Sequence, residues 1–226
     1  MNTVEIKEFD LLEIKPKSTI LIMKNKDIPN QEKLLIINLL ENYKSIPAIV
    51  VFSKTNFYES IVPEVFIHPE STNIICEKII QRQEIMKCSK KISNPKLLII
   101  IDIEMNDNLN MILDKKEELD VNIIITTNDI NNIKISKMDY LFIYPIKCKA
   151  IYENLKEYFN SYNQYNQLIN NLSGKLTVIP RNNLIKNIFY FTPNNIILSP
   201  DIFGQAKTFS NKNKKTIPQT PSIQFD

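Results

Sequence analysis

The run Leu97-Leu98-Ile99-Ile100-Ile101, closed by Asp102, constrains the fold more than any other stretch of the chain. Five successive apolar residues leave no face for water. A half-exposed strand alternates apolar with polar side chains, whereas a strand of a parallel sheet covered on both faces does not. The run is far too short to cross a bilayer, which takes about 20 apolar residues. Further β-type runs occupy residues 18–23, 47–52, 64–67, 121–126 and 139–144. Helical spacing separates them. Residues 31–43 carry Leu35, Leu39 and Leu40 on one stripe, with Asn30 as N-cap. Residues 71–91 carry Ile75, Ile79, Ile80 and Met86, with Ser71 as cap. Residues 108–119 and the aromatic-rich stretch 151–172 are the remaining helical regions. Residues 176–179 and 187–191 read as an antiparallel pair at the sheet edge. Strands alternating with helices predict an α/β fold: a mainly parallel sheet flanked by helices.

At 226 residues and 43% hydrophobic content, the chain fits one domain with a sizeable core. Residues 1–207 are expected to form it. Residues 208–226 are polar and Pro-containing, with Lys212, Lys214 and Lys215 close together, and read as a flexible, solvated tail. The N-terminal residues lack the charged-then-apolar pattern of a signal peptide, so secretion is not expected. Cys76, Cys88 and Cys148 have no CxxC spacing and read as free thiols in a reducing compartment. A net charge of +3 neither demands nor excludes nucleic acid. His68 is the one histidine, so no Ser-His-Asp, Cys-His or HExxH arrangement is available; it reads as structural. The tyrosines between 152 and 165 suit a helix face packed on the core better than a base-stacking surface. Arg82 reads as surface or ion pairing.

An apolar strand ending in an acid, preceded by a strand, a loop and a helix, is the frame of a P-loop NTPase. Further features follow in order. They are Phe9-Asp10-Leu11 ahead of the first strand, Ile46-Pro47-Ala48-Ile49-Val50-Val51-Phe52, Val62-Pro63-Glu64-Val65-Phe66-Ile67-His68, and Ile79-Ile80-Gln81-Arg82-Gln83. Then come the Walker-B-like run to Asp102, Ile123 to Thr127 with Asn128, and Met138-Asp139-Tyr140-Leu141-Phe142-Ile143. Over residues 9–192 the chain resembles the poxvirus-type genome-packaging ATPases of large DNA viruses, a branch of the FtsK–HerA translocases. The resemblance implies a P-loop NTPase-like core and a place in viral DNA packaging or virion assembly. The expected partner is a protein: an intact packaging ATPase or further copies of the chain. DNA contact stays open, and no membrane is involved. The expected location is the host cytoplasm, the viral factory or the virion.

The departures from that family bear on activity. Its phosphate loop, GxxxxGK[ST], relies on glycine for tight turns and close backbone approach. This chain has only Gly174 and Gly204, both outside that region. Anchored on the helix after the first strand, the second glycine becomes Gln31, the lysine Glu32 and the Ser/Thr Lys33. A shifted alignment brings Lys24 or Lys26 toward the site but restores no glycine. The second acid of the Walker B pair is replaced by Ile103, with Glu104 one position later. Asp102, Glu104 and the sensor-like Asn128 are therefore vestigial site residues in this reading. Asp102 can also be read as a solvated strand-end acid, and Asn128 as a turn residue or cap. No catalytic residue, metal or cofactor is expected, beyond a weak Mg²⁺ contact at Asp102. The competing expectation is a divergent, working ATPase that uses Lys24 or Lys26 with Asp102 and Glu104, and so binds ATP and Mg²⁺.

Overall fold

The computed structural model describes residues 6–25, 31–89, 96–131, 133–159, 161–172, 174–181 and 187–196. The elements run β1 (Thr19–Met23), α1 (Gln31–Asn42), β2 (Ala48–Ser53), β3 (Ile67–His68), α2 (Asn73–Cys88) and β4 (Leu97–Asp102). They continue α3 (Asp107–Asp114), α4 (Lys116–Leu119), β5 (Val121–Thr127), β6 (Tyr140–Ile143), α5 (Lys149–Leu155), α6 (Tyr162–Asn171), β7 (Leu176–Pro180) and β8 (Phe189–Phe191). All eight strands share one sheet in the order β3-β2-β4-β5-β1-β6-β7-β8. The six from β3 to β6 in that order run parallel, and β7 and β8 close one edge antiparallel. This is the mainly parallel α/β sheet that the uninterrupted apolar runs predict.

Alternation along the strands divides the core in two. Ile20, Ile22, Ile49, Val51, Leu98, Ile100 and Ile124 face Leu35, Ile36, Leu39 and Leu40 of α1. Leu21, Met23, Ile99, Ile101, Ile123 and Ile125 face the other side, against α2, α3, α5 and α6. Each such side chain contributes about 1.5–3 kcal/mol by leaving water. Asn38 of α1 also fastens a distant segment: its amide donates to the Asn194 carbonyl (2.8 Å) and its Oδ1 accepts from the Asn194 N–H (3.2 Å).

Several elements differ locally from the sequence expectation. Residues 64–67 are a 3₁₀ turn, Glu64–Phe66, followed by a two-residue strand; only Ile67 and His68 reach partners on β2, and Val65 is exposed. The cap of α2 is Thr72, whose hydroxyl accepts from Ile75 N–H, rather than Ser71. Ser71 is buried and accepts instead from the Asn106 amide at 2.7 Å. The helical region 108–119 breaks at Lys115, whose backbone leaves helical geometry. The stretch 151–172 is two helices around a 3₁₀ turn. Its aromatics pack inward: Tyr165 is buried, and its hydroxyl donates to the Ile146 carbonyl at 2.7 Å. His68 packs its ring 5.7 Å from Phe52, and burial holds its pKa below the ordinary histidine value. Among the described residues, no helix is long and apolar enough to cross a membrane. Asn30, Lys26, Pro29 and the tail 208–226 with its lysines lie outside the described residues.

Candidate functional site

In a parallel sheet every strand ends on the same edge, and ligand sites of open α/β folds lie there. Here the polar residues at that edge can be placed by counting. On β1, Ile20 and Ile22 face α1, so Lys24 shares their side. On β2, Ile49 and Val51 lead to Ser53; on β4, Leu98 and Ile100 lead to Asp102; on β5, Ile124 leads to Thr126. The register pairs Ser53 with Asp102 and Ile101 with Ile125, which sets Thr126 beside Asp102. Four polar side chains from four strands thus converge on the α1 side of the edge.

Asp102 is the centre of this group. Its Oδ1 accepts from both the Lys24 ammonium and the Thr126 hydroxyl. Its Oδ2 accepts from the Ser53 hydroxyl at 3.3 Å. Ser53 Oγ in turn lies 3.0 Å from the Thr55 hydroxyl and accepts from Thr55 N–H at 3.1 Å. The Asp102 side chain is only 7% exposed and that of Lys24 19% exposed. Lys24 is held at the other end as well, because its backbone N–H donates to the Thr127 carbonyl at 2.8 Å. The pair is therefore a mostly buried, hydrogen-bonded ion pair, so each charge needs the other.

A cleft of about 290 Å³ opens above this edge, lined by Lys24, Asp102, Glu104, Thr126, Asn128 and Asp129 among others. Glu104 is exposed in the loop after β4, and Asn128 is exposed just past β5. The structure thus brings Asp102, Glu104 and Asn128 to one cleft, together with Lys24. A second cleft, also about 290 Å³, lies toward α5 and shares Lys24, Asn128 and Asp129. Glu32 stands in the first turn of α1. Lys33 places its ammonium 5.3 Å from the centre of the Phe57 ring. Gln31 opens α1; its side chain lies outside the described residues. Tyr58 is fully buried, and its hydroxyl has no hydrogen-bond partner among the described residues. Burial, then the negative charges of Asp102 and Glu32, push its phenol well above the ordinary tyrosine range.

No protein-family model matches the sequence, and no curated protein matches it. Solved structures do. The genome packaging NTPase B204 from Sulfolobus turreted icosahedral virus 2, in complex with AMPPCP, is similar over 80% of this chain and 100% of its own, with a TM-score of 0.55 at 12% identity. The DNA-packaging ATPase B204 from Sulfolobus turreted icosahedral virus gives a TM-score of 0.54 at 12% identity, over 80% of this chain and 100% of its own. The fold is that of a P-loop NTPase. The cytoplasmic domain of the Thermomonospora curvata Type VII secretion ATPase EccC shares it over 83% of this chain and 27% of its own (TM-score 0.52, 11% identity). At these identities the likeness is one of fold.

In P-loop NTPases the strand-end acid helps to hold Mg²⁺. Here that carboxylate is already engaged by other side chains. Asp102 already carries an ammonium and two hydroxyl donors, and among the described residues no three His, Cys, Asp or Glu side chains converge to hold a metal. The side chains that sequence reading misses are Ser53 and Thr126. Their signal is a polar residue ending an apolar run on the same parity as Asp102, and it becomes visible once the strand order is known.

Proposed function

We propose that this chain is a non-hydrolysing relative of the poxvirus-type packaging ATPases, with a structural or regulatory role in viral genome packaging or particle assembly. The observation that carries the reading is the engagement of Asp102 by Lys24, Thr126 and Ser53 on a packaging-ATPase fold. The sequence supports it: residues 24–33 contain no glycine, and Ile103 stands where the second Walker B acid belongs. Such a protein works through a partner, an intact packaging ATPase or copies of itself, by docking rather than by turnover.

A working-ATPase reading draws on the cleft that Lys24, Asp102 and Glu104 share. In that case Lys24 leaves Asp102 for a phosphate, and Asp102 and Glu104 serve the metal and the attacking water. Among the described residues lining the cleft, the charges oppose this: Asp102, Glu104 and Asp129 outnumber Lys24, a field of the wrong sign for a triphosphate. Calorimetry with Mg·ATP and a phosphate-release assay on the purified chain decide between the two. The expected outcome is no turnover and no affinity better than roughly millimolar, about −4 kcal/mol. Turnover that disappears in Asp102→Asn or Glu104→Gln establishes the working enzyme instead.

A further inference from the structure

We infer that Lys24 is a built-in cation of the strand edge, its ammonium filling the place on Asp102 that a divalent ion would take, so that the chain keeps its own metal position closed. This deepens the proposed function, and rests on it in taking the edge to be free of nucleotide.

Geometry supplies the argument. A buried carboxylate has about four lone-pair positions to satisfy. Three donors reach Asp102, and each comes from a different strand or strand end: Lys24 after β1, Ser53 on β2 and Thr126 on β5. Only Lys24 brings charge. The hydroxyls of Ser53 and Thr126, the Asp102 carboxylate and the nearby Glu104 carboxylate are all oxygen groups, the kind a hard divalent cation selects. Lys24 turns that oxygen set into a closed ion pair. It reaches Asp102 because its backbone N–H is fixed on the Thr127 carbonyl at 2.8 Å, which directs the side chain across β5 to β4. Lys33 does not compete for the position, since its ammonium lies over Phe57. Removing the Lys24 charge should therefore open a cation site, while the wild-type chain refuses the ion.

Mg²⁺ and Mn²⁺ are the probes, with no nucleotide present. In the wild-type chain, the carboxyl ¹³C resonance of Asp102 should keep its shift when diamagnetic Mg²⁺ is added; shifts confined to the exposed Glu104 and Asp129 agree with a closed Asp102. Lys24→Met keeps the apolar stem and removes the charge. It should bind Mn²⁺ at least about tenfold more tightly than wild type in a titration, and adding Asp102→Asn should abolish the gain. A Mg²⁺-dependent shift of the Asp102 carboxyl in the wild type overturns the inference, and this arm stands even where the variant fails to fold. A folded Lys24→Met that binds no tighter than wild type also overturns it. ATP turnover by the wild type would end the proposed function and leave the cation results readable. A wild-type divalent-ion site at Asp102 would end the inference and leave a non-hydrolysing protein standing.

Discussion

The two edges of the parallel sheet each carry a lysine–aspartate pair, and the pairs are built differently. At the N-terminal edge, Asp139 accepts from the Lys116 ammonium and from the backbone N–H of Thr19 at 2.7 Å, tying β1 to the start of β6. Lys17 and Asp120 pair beside it at 2.9 Å, where both residues have positive φ. At the C-terminal edge, Asp102 accepts from side chains alone, and a cleft lies above it. An acid that holds a backbone N–H is a joint, because losing it leaves an obligatory donor unpaired. An acid held only by side chains can exchange partners without unpicking the sheet. The same two residue types thus serve as fastening at one edge and as the floor of a cleft at the other.

The largest effect expected from breaking this contrast is at the C-terminal edge. Lys24→Met strands a carboxylate that is 7% exposed and should cost about 3–5 kcal/mol in urea unfolding. Adding Asp102→Asn removes the stranded charge and should restore most of the loss. A double variant no more stable than Lys24→Met would show that the two residues are not coupled.

At the N-terminal edge the order of severity reverses between acid and base. Asp139→Ala leaves the buried Thr19 N–H unpaired and should cost about 2–3 kcal/mol. Lys116→Met leaves that bond intact and should cost only about 1 kcal/mol. Equal losses in the two variants would mean that Asp139 acts through its charge alone, as Asp102 does, and the contrast between the edges would disappear.

Much of this was legible in the sequence. The apolar runs at 97–101 and 123–125 predict buried parallel strands, and the leucines of 31–43 predict the helix that covers one face. Asp102 is marked as a strand-end acid by its position. The partners of Asp102 were harder to read, because adjacency across a sheet depends on strand order. Lys24 and Asp102 are 78 residues apart, and β5 lies between their strands. Alignment on α1 puts Glu32 in the lysine's place, whereas the lysine that reaches Asp102 follows β1 directly. The break at Lys115 and the short β3 depend on local backbone geometry that apolar spacing does not encode.

The smallest effect is a pH dependence at the C-terminal edge, where His68 ends β3. Burial lowers its pKa below the ordinary value near 6.5. Between its folded value and 6.5, the unfolded chain binds a proton that the folded chain refuses. The His68 contribution to stability is therefore complete above 6.5 and is lost as pH falls below it. Urea midpoints compared at pH 7.5 and 5.5 should differ less in His68→Gln than in the wild type. An unchanged difference would assign the acid sensitivity to other groups.

The strand order has a consequence for synthesis. β1 lies between β5 and β6, and Thr19 pairs with Ile123. β1 therefore waits for β6, which is completed some 120 residues later in the chain. At roughly 5–20 residues per second, that interval is about 6–24 s. Throughout it the apolar run Ile20-Leu21-Ile22-Met23 has no strand to pair with. The nascent chain is most in need of chaperone cover at β1, and that need ends only when β5 and β6 have emerged.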